Sequence, residues 1–432
     1  MTKVFENKTD NGTEFKKLGL VERKLRVSRN LTIEQTAKAL NISKGNLCEI
    51  ESGKRRLKKE TFLMFITLFS PTFDFSESLV EEAEAKLDEL VTALLYRNRE
   101  REDLIENWMI KNRNRLLNSF ACLYLIVFET YFYYRRSISH SEAEILKSSE
   151  DFIQYFSPDI RAFLLFNKGY KYKKLGMSSQ AIELFEMAIH EMNGKRWPQL
   201  KGVIQHNLAG VIALDVSFQQ AFDLADEAET LFLKGANFPR VISCYNNKAN
   251  FLCLMGQYDR ASSYSDKIIL NKDTFKDMST YNLAVSNRIM IETLKGDFKK
   301  ALQFISVHKD EIDPRQPRNF ILEPYCLLQT RNEKECLKSI RLYKDYNIGE
   351  DDKAFYSLIR AVISKKADRV EKAKSKMFRV CHRMKNWGMM LVMFQAVSIY
   401  YKENCQNDRL VKLYELQTSF YKHQIPSILE MD

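Results

Sequence analysis

The chain is poor in the residues that build turns between strands: 14 glycines and 8 prolines in 432 residues. No stretch alternates Val, Ile or Thr with polar residues between turn signals, so a nearly all-helical protein is expected. Long apolar runs are also missing. The most apolar segment, Phe120 to Phe128, is about half the roughly 18 to 20 residues that span a bilayer. The start, Met1 to Asn11, is polar and carries no hydrophobic core of a signal peptide. The eight cysteines (Cys48, Cys122, Cys244, Cys253, Cys326, Cys336, Cys381 and Cys405) include no C-x-x-C pair and no histidine at metal spacing. That pattern points to reduced, buried thiols in a cytoplasmic protein, not to a disulfide framework or a zinc site. Phosphate loops, dinucleotide fingerprints, zinc-protease helices and nucleophile elbows are all absent, and the six histidines stand apart from one another. Neither an enzyme, a metal nor another cofactor is expected.

What the chain does have is uneven charge. Of a net charge of +11, residues 1–70 contribute fifteen Lys and Arg against eight Asp and Glu, or +7 from one sixth of the length. A basic end suits a polyanionic partner.

Within that end, Thr32 and Gln35 form a capping box that starts one short helix. Asn41 ends it, Ser43 caps the next, and Gly53 closes that one. Ala37 is small where two helices must cross; Leu40, Ile42, Leu47 and Ile50 face inward, and Phe62 to Phe69 supplies the remaining wall. Spacing, caps and the terminal Glu51-Ser52-Gly53-Lys54 resemble the helix-turn-helix of the Cro/repressor (XRE) family. The resemblance implies that the helix after the turn enters the major groove of double-stranded DNA. Lys44, Gly45, Asn46 and Glu49 would then face base edges, lysine toward guanine, asparagine toward adenine and glutamate toward cytosine, while Gly45 lets the backbone come close. Thr32, Gln35, Lys54, Arg55 and Arg56 would contact phosphates, and Ser43 is counted with the DNA-binding residues. One such domain reads a short site, so a homodimer on a two-fold operator is expected.

After Pro71, residues 76–106 carry Leu79, Ala83, Leu87, Leu90, Val91 and Leu94 on one face, the pattern of a single amphipathic connecting helix. Beyond it the sequence repeats every 40 residues. Ala181, Ala221, Ala261 and Ala301 keep step with Asn167, Asn207, Asn247 and Asn287, and Gly176, Gly256 and Gly296 mark breaks between paired helices. Small residues in phase, such as Gly169 with Ala181, Phe185 and Ala188, resemble the tetratricopeptide repeat, whose period is about 34 residues. The flanks, Leu116 to Tyr134 with Glu142 to Phe156, and the pairs Tyr356 to Ile363 with Val370 to Val380 and Met389 to Tyr401 with Leu410 to Tyr421, look like decayed repeats. Three domains are expected: a helix-turn-helix over 1–70, a linker helix over 71–107, and a right-handed α-solenoid over 108–432.

The combination resembles the RRNPP family of peptide-pheromone-responsive regulators and the related arbitrium regulators of phages. It implies that a short linear oligopeptide lies in the groove of the repeats, its backbone held by asparagine amides that donate and accept at once. Here those would be Asn167, Asn207, Asn246, Asn247, Asn250 and Asn287, with His206 alongside and Arg288 or Lys248 for a peptide carboxylate. Two other readings remain: control of the same regulator by a protein partner, and an interaction scaffold or response-regulator inhibitor with a vestigial helix-turn-helix.

Overall fold

The computed structural model describes residues 13–135, 153, 156–192, 196–272, 278–309, 320–344 and 348–422. Among them lie twenty-one α-helices and, as the only β-pairing, one isolated bridge between Asp74 and Ser119. The chain divides into two compact units, residues 1–207 and 208–432.

The first unit opens with α1 (Thr13–Ser28), α2 (Ile33–Ala39), α3 (Lys44–Glu51) and α4 (Lys59–Phe69), followed by α5 (Glu77–Leu95), α6 (Arg99–Leu117) and α7 (Cys122–Arg135). The single connecting helix expected over 76–106 is in fact broken. Arg97 turns left-handed (φ 56°), and the Asn98 side chain caps α6 by accepting from Arg101 N at 3.0 Å. The apolar stripe of α5 is buried as its spacing requires. On its outer face Asp88 accepts from Arg196 Nε at 2.8 Å and Trp197 Nε1 at 2.7 Å, tying the connector to the segment that leads into α10 (Pro198–Ile212). Leu116 to Tyr134 is likewise interrupted, between α6 and α7, where Ser119 Oγ accepts from Ala121 N at 3.1 Å. Its expected partner, Glu142 to Phe156, lies outside the described residues apart from 153 and 156.

The first four helices are seated on this connector. Lys24 of α1 donates to Glu129 of α7 at 2.9 Å, both side chains under 10% exposed, and Arg113 of α6 reaches the other carboxylate oxygen at 3.0 Å. Beside them Leu20 packs on Ile126. At the opposite edge Phe62, Phe73, Phe75 and Phe120 form an aromatic cluster with centroids 4.9 to 6.1 Å apart. Such T-shaped and stacked contacts add about 0.5 to 1.5 kcal/mol per pair beyond burial. The unit ends with the hairpin α8 (Pro158–Lys174) and α9 (Ser178–Glu191) and the start of α10. Gly169 is required at its crossing: a Cβ there would meet the Phe185 ring at 2.8 Å.

The second unit continues with hairpins: α11 (Phe218–Lys234), which follows α10, then α12 (Phe238–Leu254) with α13 (Tyr258–Ile269), and α14 (Met278–Lys295) with α15 (Phe298–His308). Three shorter or less regular pairs complete it: α16 (Glu323–Gln329) with α17 (Glu333–Lys344), α18 (Glu350–Ile363) with α19 (Ala367–Met384), and α20 (Trp387–Glu403) with α21 (Asn407–Tyr421). First helices of 15 to 18 residues account for the long period. The turn between paired helices recurs with the same handedness at Gly176, Val216, Gly256 and Gly296, φ 65° to 88°. Glycine adopts that conformation without strain; a β-branched residue pays roughly 1 to 2 kcal/mol. Val216 is nonetheless there, and 8% exposed, so burial of its side chain offsets the strain.

The last pair returns to the first helices of this unit. Trp387 Nε1 donates to Ala213 O at 3.1 Å, Tyr421 OH to Leu254 O at 3.4 Å, and Gln395 Nε2 to Thr293 O and Leu294 O at 3.0 and 3.1 Å. These carbonyls lie at or just past the ends of α10, α12 and α14, where a helix leaves acceptors unpaired. Phe420 packs between Phe218, Trp387 and Phe394.

Candidate functional site

The helix-turn-helix forms for the local reasons its sequence states. Thr32 Oγ1 accepts from Gln35 N at 3.1 Å and Gln35 Oε1 from Thr32 N at 2.9 Å, the two halves of the capping box. Asn41 takes φ 53° and Gly53 φ 69°, and Ser43 Oγ accepts from Asn46 N at 3.1 Å. Ala37, Leu40, Leu47 and Ile50 are buried with Phe62 and Phe65; Ile42 is only half-buried. Helices α1 and α3 touch backbone to side-chain position at Gly19, where a Cβ would stand 2.6 Å from Ile50 O.

Beneath the motif is a charged knot. Arg26 holds Glu51 through both carboxylate oxygens, Nη2 to Oε2 at 2.8 Å, and Arg23 approaches at 3.9 Å. Glu22 lies fully buried beside them. Burial first, then the negative charge of Glu51, holds its carboxyl well above the usual carboxylate range.

On the outside, Lys44, Gly45 and Glu49 of α3 are exposed and Asn46 is half-buried. Thr32, Gln35, Ser43, Lys54, Arg55 and Arg56 are exposed around them. Arg55 differs from the sequence expectation of a plain phosphate contact. Its Nη1 donates to Asn46 Oδ1 at 2.6 Å and its Nε lies 3.0 Å from Glu49 Oε2, so it is folded back over two of the positions expected to face base edges. No atom stands within 4 Å of a Cβ placed on Gly45. Gly45→Ala is therefore expected to raise the melting temperature, helix propensity contributing up to about 1 kcal/mol, yet to weaken operator binding, because the methyl group occupies the close approach. Thermal melting and fluorescence anisotropy with DNA from upstream of the gene measure the two effects; unchanged DNA affinity would place Gly45 away from the duplex.

In the first unit Asn167 is fully buried in its hairpin, with Nδ2 donating to Phe163 O at 2.7 Å. It does not offer its amide outward, contrary to the groove-lining expectation: its donor is taken up by the carbonyl one turn earlier on α8. Asn207 is also buried: Nδ2 donates to Val203 O at 2.8 Å, and Oδ1 accepts from Lys173 Nζ at 3.0 Å. His206 is half-buried next to it.

In the second unit Asn246 is buried and donates to Thr280 O at 3.0 Å, while Asn287, half-buried, donates to Asn246 O at 3.3 Å. Asn247 is half-buried and Asn250 exposed. The two cations expected to meet a peptide carboxylate are already neutralised. Lys248 Nζ pairs with Asp226 and, at 2.8 Å, Glu229; Arg288 pairs with Asp266 at 2.9 Å and with Glu292. Their acidic partners come from α11, α13 and α14 itself, and no sequence signal other than the 40-residue step between Asp226 and Asp266 marked them. Lys173 was missed altogether, being one of three lysines in the last turn of α8.

Among the described residues, no helix is long and apolar enough to cross a membrane, and no cluster of His, Cys, Asp and Glu has the makings of a metal site.

The helix-turn-helix family HTH_3 matches residues 23–66. No curated protein matches the chain by sequence. Among solved structures, the apo form of the quorum sensor NprR from B. thuringiensis is similar with a TM-score of 0.60 and 16% identity, covering 79% of this chain and 99% of that one. NprR in complex with its cognate peptide NprX gives 0.54 and 16%, covering 78% and 99%. A Rap protein complexed with competence and sporulation factor gives 0.58 and 12%, covering 82% and 100%. At these identities the likeness is one of fold. The chain thus joins an HTH_3 helix-turn-helix to the all-helical repeat fold of NprR and Rap, the architecture of the peptide-responsive regulators that its sequence resembles.

Proposed function

We propose that the protein is a cytoplasmic transcription regulator that binds double-stranded DNA as a homodimer on a two-fold operator and takes a short linear signalling peptide on its repeat helices. The observation that carries the reading is the seating of the helix-turn-helix on the helices that directly follow it. The helix-turn-helix presents Lys44, Gly45 and Glu49 outward while its back is locked to α6 and α7 by Lys24, Glu129 and Arg113. The DNA-reading face is thereby held to the helices that directly follow it instead of hanging on a loose tether.

In the second unit Asn247, Asn250 and Asn287 keep exposed surface and are the residues assigned to the backbone of the extended peptide. The peptide shifts the regulator only by its differential affinity for two arrangements of the repeats. Relatives of known complex support this reading: the NprR structure holds its cognate peptide.

Short synthetic peptides taken from small reading frames beside the gene provide the test. Calorimetry should find one that binds, and replacing Asn247 and Asn250 together by alanine should weaken it about tenfold or more, with DNA affinity in the absence of peptide unchanged. If the double variant loses peptide and DNA binding together, the asparagines are structural. If no peptide binds but a protein is retained, the repeat region answers to a protein partner.

A further inference from the structure

The geometry points to Arg55 as a reader of guanine in the major groove, with Glu49 and Asn46 as the residues that aim it. The inference rests on the reading that the helix-turn-helix binds double-stranded DNA, and assigns one base contact within that interface. It replaces three sequence expectations: Arg55 on a phosphate, Glu49 on cytosine and Asn46 on adenine.

Asn46 and Glu49 are three residues apart on α3, so their side chains leave the same face of the helix. Arg55 lies across both. Its Nη1 donates to Asn46 Oδ1 at 2.6 Å, and its Nε lies 3.0 Å from Glu49 Oε2. An exposed ion pair is by itself a weak restraint, and the side chains of Arg55 and Glu49 are 52% and 50% exposed. The backbone supplies the rest. Gly53 takes φ 69° where the chain leaves α3, a conformation that glycine adopts without strain. Lys54 N and Arg55 N both donate to Glu49 O, at 2.8 and 3.1 Å, and Leu57, 1% exposed, anchors the segment in the core. Arg55 is thus fixed at its own amide, at its guanidinium and two residues further on, which reduces the freedom it loses when it meets a ligand.

The chemistry of the three groups selects the base. A bare carboxylate on this face would be repelled by the phosphates that flank the groove. Paired with Arg55, Glu49 does not present one. Asn46 Oδ1, the atom that would accept from adenine, already accepts from Nη1. A guanidinium carries five N–H donors. Two are engaged, and those left on Nη1 and Nη2 form the planar end of the fork, which matches guanine O6 and N7. What this face offers to DNA is a pair of donors on an anchored stem, and guanine is the base that shows two adjacent acceptors in the major groove.

Selection of bound duplexes from a randomised library by the full chain, followed by anisotropy on the enriched site and its single-base changes, tests the assignment. The wild type should prefer a G·C pair at one position of each half-site by roughly 5- to 150-fold. Arg55→Ala should erase that preference and leave the other positions as they were. Glu49→Gln is the discriminating variant. Its amide oxygen still accepts from Arg55 Nε, so the guanine preference should persist, whereas a Glu49 that reads cytosine directly would become a reader of adenine. Glu49→Ala and Asn46→Ala should each weaken the preference without removing it, as positioning residues do. Because Arg55 and Glu49 are half exposed, their variants should melt close to the wild type.

If Arg55→Ala lowers affinity by the same factor for every sequence and reduces the salt slope by about one, Arg55 contacts phosphate and the inference is overturned. An enriched site whose G·C positions are all unmoved by Arg55→Ala overturns it as well, as does a switch to adenine in Glu49→Gln. In each of these cases the DNA-binding reading stands. If the full chain enriches no sequence, that reading fails and takes the inference with it.

Discussion

Glu129→Ala is expected to lower the melting temperature of the 1–207 unit by roughly 6 to 20 °C, the equivalent of about 3 to 5 kcal/mol in a domain of this size. The size follows from what is left behind. Lys24 is buried on α1 with Glu129 as its counter-ion at 2.9 Å, and Arg113 shares the same carboxylate. Taking that carboxylate away strands an ammonium in a site lined by Leu20, Ile126 and Cys122. The packed alternative, Lys24→Met with Glu129→Leu, should recover most of the loss, because replacing both partners of a buried pair by apolar residues of similar volume is close to neutral. The pair of results separates an interaction that orients the DNA-binding helices from one that merely stabilises them. If the apolar double variant melts like the wild type but no longer changes its DNA affinity when peptide is added, the ion pair carries the coupling. Differential scanning calorimetry and anisotropy supply both readings; a melting point for Glu129→Ala within 2 °C of wild type would rule out the clasp.

The second large effect is expected at Trp387, 6% exposed and packed against Phe420 and His382. Trp387→Ala should destabilise the 208–432 unit by about 3 to 5 kcal/mol, and it also leaves the Ala213 carbonyl without its donor. Trp387→Phe keeps a ring in the space and loses the donor alone, at a cost near 1 kcal/mol. Hydrogen exchange gives the diagnostic pattern. In Trp387→Ala, faster exchange should extend beyond 387–421 to the ends of α12 and α14, whose Leu254, Thr293 and Leu294 carbonyls are held by the same hairpin. Exchange that quickens in 387–421 and nowhere else would show that the last pair lies on the others without bracing them.

How much of this was legible in the sequence divides along a physical line. Features set within one helix or one turn could be read. The Thr32 and Gln35 box, the Ser43 cap and the Asn41 and Gly53 turns follow from neighbours a few residues away, and all are present. The 40-residue step gave the paired helices from 158 to 308 for the same reason. Breaks inside a strong amphipathic pattern were not legible: the face of 76–106 continues past Arg97, and only the left-handed turn there shows that the chain reverses. Side-chain partners far apart in sequence were out of reach as well. Lys248 looked available because its carboxylates come from another helix, Arg288 because Asp266 does and because Glu292, one turn on, was not paired with it in the reading, and Asn167 looked outward because nothing in its repeat position says that the residue is buried. Lys173 meets Asn207 across 34 residues, a distance that no periodicity argument bridges.

The bonds from residues 387–421 back to Ala213, Leu254 and Leu294 also set an order of events during synthesis. The DNA-binding helices and their seat on α6 and α7 are complete long before the ribosome reaches the C-terminus, and domains generally fold as they emerge. The carbonyl ends of α10, α12 and α14 wait for donors that are translated more than a hundred residues later. Contacts at such separation close slowly, since the intervening chain must first be ordered. A nascent or prematurely terminated product therefore carries a finished helix-turn-helix on an unfinished repeat array, and under the proposed function it is expected to reach DNA while deaf to the peptide.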